Sequence, residues 1–163
     1  MAKRNRIQAR LLVDGSNFLG RASGYRLGPA EDRERLVRRL GDYARRHPGQ
    51  RVVLWFDGDR ASTETIAGVE VRFVGPRDAD TSILDYLAEL SDPERTQARL
   101  VTDDRKLSSH AKRLRVPVAS VGWLHHRLPE PGAGKSDPGV SPDEIKEWLD
   151  YFGANDSPRG RVQ

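Results

Sequence analysis

Apolar residues along this chain come in two patterns. Short unbroken runs such as "LLV" at 11–13 and "VVLWF" at 52–56 alternate with longer polar stretches that carry an apolar residue every third or fourth position. The runs are too short and too continuously apolar for exposed helices and predict buried strands at about 10–14, 51–56, 69–74, 98–102 and 116–124. The polar stretches predict helices over 29–50, 78–91, 103–115 and 141–152. The first carries Leu36, Val37, Leu40, Tyr43 and Ala44 as its stripe, with Glu31 and Asp32 at its start and Arg45 and Arg46 at its end, which suits the helix dipole. Ser141-Pro142-Asp143-Glu144 reads as a capping box for the last helix. Residues 15–29 hold four glycines and a proline and read as a loop, and 59–67 as a loop or a turn of helix.

Strands alternating with helices predict a three-layer α/β/α fold around a central, mainly parallel five-stranded sheet, Rossmann-like in plan. Residues 10–152 read as a single domain, with a flexible basic arm at 1–9 and a flexible tail at 153–163. The sequence shows no internal repeat.

Composition narrows the chemistry. The chain has no cysteine, which removes disulfides and thiolate metal sites. No run approaches the ~20 apolar residues of a membrane span, and the N-terminus lacks a signal-peptide core, so no membrane is expected and a cytoplasmic location is. The net charge is +4, drawn from 28 Lys and Arg that are mostly Arg. Guanidinium groups bind phosphate in a planar fork, so a polyanion is the partner such a surface suits.

The runs share one ending. "LLVDGSN" stops on Asp14, "VVLWFDG" on Asp57, and "RLVTDD" on Asp103 and Asp104, while "VEVRFVGPRDAD" reaches Asp78 and Asp80 at the next helix start. In a doubly wound sheet the C-terminal ends of parallel strands form one rim, where ligands bind. Each acid alone is an ordinary helix cap or turn residue. Several on one rim would repel one another, a repulsion relieved by protonation, by basic neighbours or by a cation, and for a cation the all-oxygen donor set suits Mg²⁺ or Mn²⁺. Asp14, Asp57, Asp80 and Asp104 are the candidate ligands, with Asp103 and Asp78 secondary. Asp85, about 140° around the helix from Asp80, is a poor co-ligand. Asn17 is a candidate to orient substrate or water. Ser16, Arg105 and Lys106 are candidate substrate contacts, and Thr81, Ser82 and Thr102 candidate orienting hydroxyls. No side chain is an evident general base, so the nucleophile would be a metal-activated water.

These motifs, "LLVDGSN", "VVLWFDG", "DADTSI" and "LVTDDRKL", resemble the NYN domain of the PIN-like nucleases, and within it the bacterial YacP-like group, over about residues 10–124. The resemblance implies a PIN-like fold and a Mg²⁺- or Mn²⁺-dependent ribonuclease. It maps the acidic metal residues onto Asp14, Asp57, Asp80 and Asp104, with Asn17 beside the first. It implies RNA as partner, free or in a ribonucleoprotein or ribosomal context. Two positions depart from the pattern: Ser16 stands where a tyrosine is usual, and Arg77 where an acid is usual, with Asp78 one step later. A catalytically inactive PIN-like module that binds RNA or a protein is the alternative. A receiver or phosphatase domain fits less well, because no Asp directly follows the third strand and no Lys the fifth.

Other signals weigh little. Gly134-Lys135-Ser136 lacks the first glycine of a phosphate loop, since Pro129 stands there. His125 and His126, being adjacent, would not face one metal and read as surface residues. Trp55 and Trp123 read as packing residues. Arg33, Arg38, Arg39, Arg45 and Arg46 read as the solvated face of the first helix.

Overall fold

The computed structural model describes residues 7–129. The expected arm falls mostly outside them, as do the Gly-Lys-Ser loop, the last helix and the tail. Six strands and six helices are described: β1 (Ala9–Asp14), α1 (Gly15–Arg21), α2 (Pro29–Arg46), β2 (Gln50–Phe56), β3 (Ala61–Ile66), β4 (Val69–Val74), α3 (Ala79–Glu89), α4 (Asp92–Thr96), β5 (Ala98–Val101), α5 (Arg105–Arg113), β6 (Val118–Ala119) and α6 (Val121–Arg127).

Helices cover both faces of one sheet of order β3-β4-β2-β1-β5-β6. Successive side chains of a strand point to opposite faces, and both faces here are apolar. Leu11, Val13, Leu54 and Phe56 pack with Phe18 of α1, Leu36 and Leu40 of α2 and Leu124 of α6. Leu12, Val53 and Trp55 pack the other way, with Ile83 and Leu87 of α3 and Leu107 and Ala111 of α5. That two-sided burial is why the strands read as continuous apolar runs.

The sheet has six strands where five were expected, and the extra one is β3. It pairs antiparallel with β4 through a tight turn in which Ala67 (φ 53°) and Gly68 (φ 82°) both have positive φ, the condition for a hairpin turn matching strand twist. Its sequence, ASTETI, is mostly exposed edge and buries only Ile66, so it carries no apolar run.

Three further differences bear on the site. The expected loop after Asp14 begins as helix α1, because the Asp14 side chain caps it and Phe18 is fully buried. The expected strand over 116–124 shortens to β6, followed by α6. Ser120 accepts the Trp123 N–H at 3.0 Å as its N-cap, and Asp103 accepts the Val121 N–H at 3.0 Å. A short helix, α4, opens on a Ser91–Glu94 capping box.

The connections place the rim. From β1 the chain moves outward through β2 and β4, then returns to β5 on the other side of β1. The order therefore reverses between β1 and β5, and the crevice of such a sheet opens beyond the strand ends at that reversal. Val13 pairs with Val101 and Asp14 with Trp55, so Asp14, Asp57 and the loop 102–104 leave the sheet at nearly the same level.

Candidate functional site

Asp14 sits at the bottom of the rim, 3 % exposed. It ends β1 and caps α1, with Oδ1 3.5 Å from the Asn17 N–H and Oδ2 3.2 Å from the Thr102 hydroxyl. Gly15 follows because nothing larger fits: a Cβ there would lie 2.5 Å from the Trp55 carbonyl oxygen and 2.7 Å from the Phe56 ring. The Asp14-Gly15 pair thus lets α1 press onto β2 while its cap stays at the rim.

The other acids arrive from three more elements. Asp57 is exposed just beyond β2, its backbone N–H 3.4 Å from the Ser16 hydroxyl oxygen. Asp80 lies in the first turn of α3, partly buried. Asp104 caps α5, accepting the Leu107 N–H at 2.8 Å, and its own N–H donates to Thr102 Oγ1 at 3.1 Å. Asp14, Ser16, Asn17, Asp57, Asp78, Asp80 and Asp104 line a single pocket of about 260 Å³.

Electrostatics records their proximity. The Asp14 carboxyl is pushed up to about 6, mainly by burial, with the Asp80 and Asp57 carboxylates adding to it against the Asn17 N–H and the Thr102 hydroxyl. Asp80 is also raised, by burial and then by Asp104, Asp78 and Asp57, with Lys106 pulling the other way. Asp78 is lowered, because the Thr81 N–H and hydroxyl donate to it at 2.7 and 3.0 Å. It caps α3 from an exposed position at the pocket edge.

The pocket is open rather than pre-clamped. Among the described residues, no three His, Cys, Asp or Glu side chains stand in an arrangement that holds a metal ion. The donor chemistry still suits a hard divalent cation: the carboxylates supply only oxygen, and raised carboxyls are groups that a nearby positive charge would relieve.

Asn17 does something its position in the sequence did not reveal. Its Oδ1 accepts the Asp103 N–H at 2.8 Å and lies 3.3 Å from the Thr102 hydroxyl. A backbone N–H needs an oxygen opposite it, so this contact orients the amide, and the oxygen is committed to protein.

The remaining candidates disperse. Asp103 does not line the pocket, its carboxylate being tied to the start of α6. Asp85 is ion-paired with Arg77 and faces a separate groove with Ser82. Arg105 is exposed at the start of α5. Lys106 lines a neighbouring cleft with Asp78, Asp80, Thr81 and His110. His110 escaped notice in the sequence, though its i+4 spacing from Lys106 puts both on one helical face. His125 is not a surface residue: it is half-buried, 6.2 Å from the Phe18 ring and 6.4 Å from the Tyr25 ring, with Nδ1 3.3 Å from Arg39 Nη1. Trp55, 1 % exposed, is core.

The mainly parallel sheet, with acids from four separate elements at its switch point, has a PIN-like fold. The sequence profile of the YacP-like NYN domain matches residues 11–127, and the chain belongs to that family. The crystal structure of Rae1 (YacP) from Bacillus subtilis superposes with a TM-score of 0.60 at 21% identity, covering 86% of this chain and 77% of that one. A tryptophan-to-leucine mutant of the same protein gives a TM-score of 0.60 at 21% identity, covering 88% and 80%. Both likenesses concern the fold. No curated protein sequence matches the chain.

Proposed function

We propose that this chain is a divalent-metal-dependent ribonuclease that hydrolyses RNA phosphodiester bonds at the pocket walled by Asp14, Asp57, Asp80 and Asp104. The observation that carries the reading is the Asp14 carboxyl: it is buried at the switch point and raised further by Asp80 and Asp57. Burying a carboxylate among carboxylates costs stability, and a cation at the site would offset that cost. Membership of a nuclease-type family gives the same direction.

Mg²⁺ or Mn²⁺, when bound, supplies water activation and charge stabilisation at phosphorus. The chain's own residues do the rest. Asp14 and Asp104 are held by hydrogen bonds from Thr102, Asn17 and Leu107, so they would present oxygens from fixed positions. Asp57, exposed at the pocket mouth, and Asp80 complete the donor set. Arg105 and Lys106, just after Asp104, would hold substrate phosphates. Ser16 lies beside Asp57 within reach of a bound strand. The substrate is RNA in the cytoplasm, free or in a ribonucleoprotein or ribosomal context. No helix of the described residues is long and apolar enough to cross a membrane.

One observation favours the second reading, a catalytically inactive module that binds RNA or a protein: the acids are not gathered into a ready three-ligand cluster. That reading predicts salt-sensitive RNA affinity without cleavage. Incubating purified chain with varied RNAs and Mn²⁺ separates the two. Cleavage that stops in EDTA and falls at least about 100-fold in Asp80→Asn and Asp57→Asn is expected, since losing a group that merely supports a metal's ligands already costs about 10- to 100-fold. Intact RNA with Mn²⁺ present, or undiminished cleavage by Asp80→Asn, would overturn the nuclease reading.

A further inference from the structure

We propose that the cleft between α3 and α5 is a nucleotide subsite, taking the nucleotide next to the scissile phosphate, with Lys106 and His110 as its phosphate-binding groups. The proposal rests on the nuclease reading for the identity of the strand, and on the cleft itself for the binding.

The cleft has a volume of about 250 Å³ and is lined by Asp78, Asp80 and Thr81 at one end and by Leu84, Lys106, Leu107 and His110 elsewhere. Asp78 and Asp80 also line the acidic pocket, so the two cavities share a wall at the first turn of α3. A strand whose scissile phosphate lies over the acids would run its neighbouring nucleotide into the cleft.

The lining is divided as a nucleotide is. Leu84, half-buried and packed against the core, gives the cleft an apolar surface for a base or sugar face, with the fully buried Leu107 beneath it. Lys106 and His110, four residues apart on α5, stand on the same face of the helix. Both can donate hydrogen bonds to phosphate oxygens, His110 from a ring N–H. Among the described residues, neither is in an ion pair. The larger groove on the far side of α3, about 340 Å³, differs on this point. Its arginines are already ion-paired, Arg72 with Glu70 and Arg77 with Asp85, whereas Lys106 feels the Asp80 carboxylate without pairing with it and is left to a phosphate once a divalent ion takes up the Asp80 charge.

The test uses the full chain and 5′-AMP in Mg²⁺ buffer, where the ligand has no diester to hydrolyse. Amide NMR is expected to show AMP shifts at residues 81–84 and 106–110. Affinity should fall about five- to tenfold in Lys106→Ala and in His110→Ala, the loss of one charge-assisted contact each, and stay unchanged in Arg72→Ala. Inorganic phosphate alone should shift 106 and 110 but not 84. If Lys106 served only to offset Asp80, AMP binding would persist in Lys106→Ala, and the proposal would fall. Shifts confined to the Arg72 groove, or no shifts, would also overturn it. In a cleavage assay the same two variants should raise KM about five- to tenfold. An active enzyme with unchanged KM in both variants would reject the subsite while leaving the nuclease reading standing. An inactive enzyme that binds AMP as described would do the reverse.

Discussion

The Oδ1 of Asn17 accepts the backbone N–H of Asp103 at 2.8 Å. This bond fastens α1 to the loop after β5 and so joins the two sides of the switch point. With the Thr102 hydroxyl 3.2 Å from Asp14 Oδ2, it forms a polar seam beneath the acidic pocket. Asn17 therefore acts by positioning the loop that ends in Asp104.

Removing that oxygen leaves a partly buried N–H unpaired. Asn17→Ala is expected to cost about 1–3 kcal/mol, read as a lower midpoint in urea unfolding. Asn17→Asp keeps an acceptor for Asp103 and should recover part of that loss in acid, where the carboxyls are protonated, but not at neutral pH, where it adds charge beside Asp14. Equal stability of the two variants at both pH values would show that the bond is not what holds the loop.

Asp14 makes the metal-free protein sensitive to pH. Its folded pKa, about 6, lies above the 3.8 of an ordinary aspartate, so the native state binds the proton more tightly than the unfolded chain. The stabilisation is complete below about 3.8 and is lost as pH rises through about 6, up to ~3 kcal/mol for a shift of this size. In EDTA, Asp14→Asn should therefore be more stable than wild type at pH 7.5 and should show a flatter stability profile between pH 4 and 7. A wild-type profile that rises over that interval, together with a destabilised Asp14→Asn at pH 7.5, would contradict this.

A divalent ion should reverse the penalty. Mn²⁺ at about 100 times its Kd is expected to stabilise the wild type by ~2.7 kcal/mol at pH 7.5. The gain should shrink below pH 5, where protons compete for the same oxygens, and should be reduced in Asp57→Asn. Differential scanning calorimetry with and without EDTA measures it. A Mn²⁺ effect equal in wild type and Asp57→Asn would place the ion elsewhere.

Two glycines of α1 should respond oppositely to alanine. At Gly15 a Cβ would meet the Trp55 carbonyl oxygen at 2.5 Å, and backbone cannot yield cheaply. Gly15→Ala is expected to cost more than about 2 kcal/mol and to weaken Mn²⁺ binding by displacing Asp14. At Gly20 nothing lies within 4 Å of an added Cβ, so Gly20→Ala should stabilise by roughly 0.5–1 kcal/mol. Chemical denaturation of the pair checks both signs.

Arg39 is 3 % exposed, and its guanidinium donates to the carbonyls of Leu128 at 3.2 Å and Pro129 at 2.9 Å and to the Tyr25 hydroxyl at 2.6 Å. It thereby closes the end of α6 against α2. Arg39→Ala should cost about 3 kcal/mol by leaving these acceptors unpaired, whereas Arg38→Ala, which removes only an i,i+4 contact with Glu34, should cost no more than about 0.5 kcal/mol.

That contrast marks where sequence reading ends. Arg38 and Arg39 are neighbours of one residue type in one helix, and the apolar stripe assigns both to the solvated face. Only the arrival of α6 and the carbonyls past its end, nearly ninety residues on, makes one of them buried. The polar edge strand β3 escaped for a related reason: a strand that buries a single residue leaves no periodic trace, and its pairing with β4 is the information that defines it. The segment over 116–124 has strand-like composition, but Ser120 and Asp103 cap a helix there, and Asp103 comes from another part of the chain.

What the residue pattern did determine is local. Buried apolar runs located β1, β2, β4 and β5, helical spacing located α2, α3 and α5, and the turn chemistry put an aspartate at or near the end of each of those strands. The motif order marked the YacP-like NYN family. What the tertiary structure decided is which ends meet. The order β3-β4-β2-β1-β5-β6 places Asp14 beside the loop of Thr102 and Asp104, buries one carboxyl among others, and commits the Asn17 oxygen to Asp103. Periodicity encodes which face of an element is buried, and it is set by neighbours a few residues away. Burial of a single charge and the partner of a single amide depend on elements that the sheet brings together from across the chain.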